Sequence, residues 1–213
     1  MHLKVKAIIF DLDGTLYKSE SYLRQLADGI RDTLAELLSI SSQEAEKLIK
    51  ELRLRFGSIT LGLKSLGIKR SIFYERLVEK LSPENLIEPN HELLRMLLEF
   101  KRMGLKLGCH TNASRKLARK VFKTLQIDPE MFDVLITCDD ADPKPTPSGY
   151  LKILEVLKLK PEEIMYVGDR WRVELEPAKE LGMKTVLISD MVQGSPDYLI
   201  NDISDLRKVI RDP

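Results

Sequence analysis

Two aspartates, one residue apart, follow a short apolar run. Val5 to Phe10 leads straight into Asp11-Leu12-Asp13-Gly14-Thr15-Leu16-Tyr17. The run reads as a buried β-strand, stopped by the turn-forming Asp13-Gly14 pair. Two carboxylates at a strand tip are costly to bury unpaired, so the tip is solvated or holds a cation. In open α/β sheets that edge is where ligands bind. The chemistry to which the pair points is metal-assisted. Other polar groups also follow apolar runs: Cys109-His110-Thr111-Asn112, the loop from Asp142 through Lys144 to Pro147, and Gly168-Asp169, with Glu174 further on.

For these groups to meet, the runs before them must be neighbouring parallel strands. Five such runs are read as strands: 5–10, 105–109, 134–137, 164–167 and 185–188. Helical patterns separate them. Segment 90–103 carries Leu93, Leu94, Met96, Leu97 and Phe100 on one broad stripe, and Gly104 stops it. Segment 115–125 alternates basic residues with Leu117, Val121 and Leu125. Segment 147–158 starts with Thr146 as cap and Pro147 at the first helical position, and 175–181 ends at Gly182. The alternation predicts an α/β fold with a doubly wound parallel sheet.

Residues 18–86 break that alternation. Helical patterns at 21–38, 42–56 and 70–81 follow one another with no strand between them, and Ser41 with Glu44 forms a capping box for the second. Gly57, Gly62 and Gly67 punctuate the connection to the third, and 82–89 reads as the returning linker. An all-helical insert after the first strand sits above the sheet's C-terminal edge, the position of a lid. The expected division is an α/β core of residues 1–17 and 87–213 with a helical cap of 18–86.

Composition narrows the function classes. The 213 residues suit one domain or a core with a smaller module, and 43% hydrophobic residues supply a real core. A formal net charge of +1 gives no electrostatic case for nucleic acid or an anionic membrane, and no apolar stretch is long enough to span a bilayer. The Lys, Glu and Arg richness fits a heat-adapted protein. Cys109 and Cys138 form no CxxC pair and read as buried strand-end thiols. The start, Met1-His2-Leu3-Lys4, leaves no room for a signal peptide, so a cytoplasmic protein is expected, in which the triplet Asn112-Ala113-Ser114 carries no glycan.

The motifs DLDGTLY at 11–17, TN at 111–112, KPTP at 144–147 and GD at 168–169, in that order, resemble those of the haloacid dehalogenase superfamily of phosphatases. The likeness spans almost the whole chain. It implies a Rossmann-like core, and the helical insert resembles the cap of the superfamily's subfamily I. Residues 55–63 are similar to a segment of the pyrimidine 5'-nucleotidase branch. By this resemblance Asp11 is the nucleophile and forms an aspartyl-phosphate. Asp13 protonates the leaving oxygen and then activates water. Thr111, helped by main-chain amides near Asp13 and Asn112, holds phosphate oxygens, and Lys144 neutralises charge on the phosphate and Asp11. Asp11, the Asp13 carbonyl and Asp169 hold Mg²⁺.

The charges agree with a metal. Asp11, Asp13, Asp169 and Glu174 are set against Lys144 alone, and a phosphate must enter among them. Two like charges 4 Å apart repel by about 4 kcal/mol at an effective dielectric near 20. A divalent cation cancels much of that repulsion, and all-oxygen ligands favour Mg²⁺ over zinc. Glu174 stands where relatives commonly carry Asp, so it either joins the metal set, directly or through water, or binds Lys144. Arg170 pairs with Glu174, meets the substrate or is solvated. Trp171 is a wall of the site or packs under the cap, with packing favoured. Thr111 binds phosphate, caps the next helix, or does both. His110 is expected to be packed and hydrogen-bonded, His2 and His91 to lie on the surface, and the run 115–123 to be a solvated helix face.

The reading is therefore a Mg²⁺-dependent phosphatase acting on a small phosphorylated metabolite such as a nucleotide, a sugar phosphate or phosphoglycolate, as a monomer or homodimer. A phosphomutase on sugar phosphates would use the same nucleophile, and a non-catalytic binding protein would lack one of the key groups. Dehalogenases of the superfamily generally lack the second acid, and Asp13 is present.

Overall fold

The protein is described as a computed structural model covering residues 5–211, so His2 lies outside the described residues. Six strands form one sheet: β1 Ala7–Phe10, β2 Lys106–His110, β3 Val134–Ile136, β4 Ile164–Gly168, β5 Lys184–Ile188 and β6 Tyr198–Ile200. All pairings are parallel, in the order β3-β2-β1-β4-β5-β6. The chain builds outward from β1 on one side, then crosses to the other. The crevice beyond the C-terminal end of β1 is thus the topological switch point.

Alternate strand residues feed two cores. Ile8, Phe10, Leu107, Cys109, Met165 and Val167 pack on one face. Ala7, Ile9, Val134, Ile136, Tyr166 and Leu187 pack on the other. Burial on both faces is why these strands read as continuous apolar runs. β6 is absent from the five-strand reading. It has three residues and leaves Leu199 exposed, which is too little pattern to register as a strand.

The helices are α1 Glu20–Leu38, α2 Ser42–Phe56, α3 Ile59–Gly62, α4 Arg70–Glu79, α5 His91–Arg102, α6 Arg115–Thr124, α7 Ser148–Leu157, α8 Glu176–Glu180 and α9 Leu206–Arg211. The first four succeed one another without a strand, and the Ser41–Glu44 capping box opens α2 as expected. Gly57 and Gly67, both left-handed, close α2 and the 3₁₀ turn before α4. Gly62 instead keeps helical angles; there a Cβ would stand 2.8 Å from Leu52.

Two local expectations change. Pro147 occupies the N-cap of α7 and Ser148 begins the helix. The Thr146 hydroxyl caps nothing; it turns back to the Asp142 and Pro143 carbonyls, 3.0 and 2.8 Å away. Nor is the basic run of α6 wholly solvated. Lys120 donates to the Leu81 carbonyl and Arg115 pairs with Asp140, so α6 helps to tie down the segment returning from the insert. Two more stitches hold the insert. The Tyr74 hydroxyl donates to the Asn112 carbonyl at 2.6 Å, and Arg70 donates to the Cys138 carbonyl at 2.9 Å. Cys109 and Cys138 are buried free thiols, and His91 is exposed. Among the described residues no helix is long and apolar enough to cross a membrane.

Candidate active site

Register brings the motif residues to one rim. Phe10 pairs with Cys109 of β2 and Val167 of β4, so Asp11, Thr111 and Asp169 leave the sheet at nearly one level. The Asp11 N–H continues the ladder to the Val167 carbonyl at 2.9 Å, and the Thr111 N–H does so to Ile136 at 2.9 Å. After Asp11 the chain makes a tight excursion, and Asp13 bridges back to Tyr17. Gly14 turns it at φ +90°, and a Cβ there would lie 2.5 Å from an Asp169 carboxylate oxygen. Glycine is required both by the angle and by the closeness of Asp169.

Lys144 is fully buried at the centre. Its ammonium donates to Asp11 Oδ1 at 2.5 Å and to the His110 carbonyl at 2.9 Å, and stands 3.5 Å from Glu174. Asn112 explains its position. The carboxamide accepts from the Lys144 N–H at 2.7 Å and donates to the Lys144 carbonyl at 2.9 Å. Both ends of that side chain are engaged with the Lys144 main chain, so the Asn112 side chain positions Lys144. The Thr111 hydroxyl is buried and accepts from the Ala113 N–H, while Ser114 caps α6. Thr111 is therefore free of the capping alternative, and its O–H remains available as a donor.

The Asp169–Glu174 segment departs from a simple helix start. Trp171–Leu175 forms a wide π-helical turn before α8, pinned by the buried Tyr150 hydroxyl, which donates to the Glu174 carbonyl at 2.9 Å. Such turns recur at functional sites. This one aims Glu174 inward, where Gly168 leaves room for its carboxylate. Glu174 accepts from the N–H groups of Asp169 and Arg170 at 3.2 and 3.3 Å, and from the Arg170 guanidinium, whose Nε is 2.9 Å away. A carboxylate offers about four lone-pair positions, and all of them are engaged. Arg170 is thus a clamp on Glu174, a second cation that charge counting from the sequence had left undecided. Trp171 packs over Gly194 and donates to Glu176 at 3.2 Å, so it packs away from the insert rather than beneath it. His110 is buried against Tyr150, bonds the Tyr166 hydroxyl through Nδ1 at 2.9 Å, and is held neutral by burial and by Lys144.

Four carboxylates face two cations here, and the protonation equilibria register the imbalance. Burial and the neighbouring Glu174 push Asp11 up to about 6. The same two causes push Asp169 up to about 8. Burial also raises Asp13, opposed by the hydrogen bond that the Tyr17 hydroxyl donates to it. Burial would raise Glu174 too, but Arg170 and Lys144 outweigh it and hold it below the usual range. Carboxylate oxygens of Asp11, Asp169 and Glu174 lie within 4.8 Å of one another, and the Asp13 carboxyl stands outside that group. Asp11 Oδ2 and Asp169 Oδ1 are buried with no hydrogen-bond partner. An unpartnered buried carboxylate oxygen is costly, and a hard cation removes that cost.

A cavity of about 530 Å³ opens between this rim and the insert. Asp13, Asn112, Asp169 and Arg170 line it from the sheet side, and α1, α2 and α4 line it from the other.

Comparison with known proteins places this site in a family. Residues 5–182 match the model of the haloacid dehalogenase-like hydrolases, and the chain belongs to that family. It is 28% identical to the glyceraldehyde 3-phosphate phosphatase of Methanocaldococcus jannaschii, over 97% of each chain. It is 26% identical to the pyrophosphatase PpaX of Bacillus mycoides, over 98% of each. Its fold superposes on the HAD phosphatase of Thermococcus onnurineus with a TM-score of 0.69 at 29% identity, covering 97% of this chain and 98% of that one. The protein is accordingly a hydrolase of the group that acts on phosphate esters.

Proposed function

We propose that this chain is a Mg²⁺-dependent phosphatase that hydrolyses small phosphomonoesters through an aspartyl-phosphate on Asp11, with residues 18–86 as the cap over a core of 1–17 and 87–213. The observation that carries the reading is the buried Lys144–Asp11 pair beside two buried carboxylate oxygens without hydrogen-bond partners. The donor set fits the ion: Asp11 Oδ2 and Asp169 Oδ1 are the side-chain ligands, with the Asp13 carbonyl. Glu174, with its lone pairs already taken, balances the charges of Lys144 and Arg170 beside the ion. When bound, Mg²⁺ supplies positive charge that offsets the carboxylates and polarises the phosphoryl group.

The residues divide the remaining work. Lys144 and the Thr111 hydroxyl hold phosphate oxygens, with the main-chain amides near Asp13 and Asn112. The Asp11 carboxylate attacks phosphorus, and the bond to the leaving oxygen breaks as that oxygen takes the Asp13 proton. Asp13, now a carboxylate, takes a proton from water, whose oxygen attacks phosphorus. Inorganic phosphate leaves, and Asp11 is restored. The raised affinity of Asp13 for its proton suits it to the first step. Since most of the cavity faces the insert, substrates are small phosphorylated metabolites rather than phosphoproteins or nucleic acids.

The test is release of inorganic phosphate from p-nitrophenyl phosphate and from a panel of phosphorylated metabolites. With Mg²⁺ phosphate is released, and in excess EDTA release stops. Isomerised sugar phosphate without free phosphate would instead mark a mutase.

Tyr17 gives a finer expectation. Its hydroxyl favours the Asp13 carboxylate, so Tyr17→Phe raises the Asp13 pKa. The alkaline limb of kcat/KM then moves to higher pH, because the acid stays protonated longer. With its orienting bond gone, kcat falls by about 10-fold. A pH–rate profile measures both changes.

A further inference from the structure

We propose that Arg53 reads a second anionic group on the leaving portion of the substrate, so that the preferred esters carry a carboxylate or a second phosphate distal to the scissile one. This rests on the phosphatase reading only for which end of the substrate reacts.

The cavity is lined by two cations, Arg170 on the sheet side and Arg53 on α2 of the insert. They differ in their surroundings. Arg170 is matched by Glu174, with Asp169 3.7 Å away. Among the described residues no carboxylate lies within ion-pair distance of Arg53. Arg53 shares the cavity lining with Leu26, Ile30 and Leu77. Burial and the field of Arg170 both disfavour its charge. Arg53 is exposed and water serves it in part, and as a cavity-lining arginine that keeps its proton it is open to an anion from outside the chain. The anion cannot be the reacting phosphoryl group, which is claimed by Lys144 beside Asp11. A ligand bridging the two ends must carry its second negative charge past the apolar wall. An arginine–anion hydrogen bond formed in such a setting is among the stronger polar contacts available.

Three esters separate the possibilities: 2-phosphoglycolate (a carboxylate), fructose 1,6-bisphosphate (a second phosphate) and glycerol 3-phosphate (an uncharged tail). The wild-type protein with Mg²⁺ favours at least one of the first two over the third in kcat/KM, and the favoured one identifies the anion. Arg53→Gln lowers that preference by about 10- to 100-fold, and Arg53→Lys restores part of it. Equal kcat/KM for all three in the wild type, or an equal loss on all three in Arg53→Gln, would overturn the proposal. Calorimetric titration of 2-phosphoglycolate and glycerol 3-phosphate into the Mg²⁺-saturated protein provides a readout apart from turnover. A stronger affinity for 2-phosphoglycolate that is lost in Arg53→Gln supports the role of Arg53 even if no ester is hydrolysed, an outcome that overturns the phosphatase reading alone.

Discussion

Asp11→Asn lowers kcat by about 10⁴-fold or more, with the fold retained. Asparagine is nearly isosteric, so the site at the β1 tip keeps its shape. What is lost is the charge that makes the carboxylate a nucleophile. Where a covalent nucleophile is removed, little remains beyond the binding contribution of its neighbours. The change also deprives buried Lys144 of its nearest carboxylate, leaving Glu174 at 3.5 Å to balance it. Far-ultraviolet circular dichroism checks the fold, and steady-state phosphate release checks the rate. A residual rate within about 10-fold of wild type would mean that Asp11 is not the nucleophile.

The second large effect couples metal to pH. Removing the divalent ion with EDTA lowers activity by about 10³-fold or more, the scale on which Lewis-acid stabilisation of phosphoryl charge acts. The metal-free protein has a distinctive pH dependence. Asp11 and Asp169 hold their protons up to about 6 and about 8, against an ordinary 3.8. At Asp11 and Asp169 the folded chain therefore keeps, between pH 4 and 8, protons that the unfolded one has lost. Linkage then makes stability fall as pH rises through that window, with the loss complete above it. Mg²⁺ competes with those same protons, so it raises the melting temperature more at pH 8.5 than at pH 5.5. Asp169→Asn removes one of the crowded charges. It raises the melting temperature of the metal-free protein at pH 8.5 and abolishes the Mg²⁺ response, while activity is lost. Thermal melts of both proteins in EDTA and in Mg²⁺, at the two pH values, read all of this.

The sheet and the four motif loops were legible because each depends on a local signal. Continuous apolar runs ending in polar clusters marked the β1, β2 and β4 tips, and helical periodicity placed the insert. Residues 42–56 came out as read because Ser41 and Glu44 cap them, and the apolar spacing of 115–125 placed α6 within a residue of its observed end. What stayed hidden depends on distance in the chain or on unusual backbone. The π turn at 171–175 has no sequence period of its own, so the inward aim of Glu174 could not be read and the Arg170–Glu174 pair stood as one of three alternatives. The two bonds from Asn112 to Lys144 join residues 32 apart, so the part of Asn112 in positioning Lys144 had no local signal. β6 was missed because three residues carry no pattern. Arg53, one basic residue on a charged helix, acquires meaning only from the cavity onto which it opens.

Chemical trapping tests the central step most directly. The protein is mixed with a good substrate and Mg²⁺, quenched in acid during turnover, treated with borohydride and mapped by peptide mass spectrometry. An acyl phosphate is reduced where a free carboxylate is not, so the account predicts homoserine at position 11 and nowhere else. Substrate hydrolysis that proceeds with Asp11 unmodified, or with the modification on Asp13 or Asp169, would contradict it.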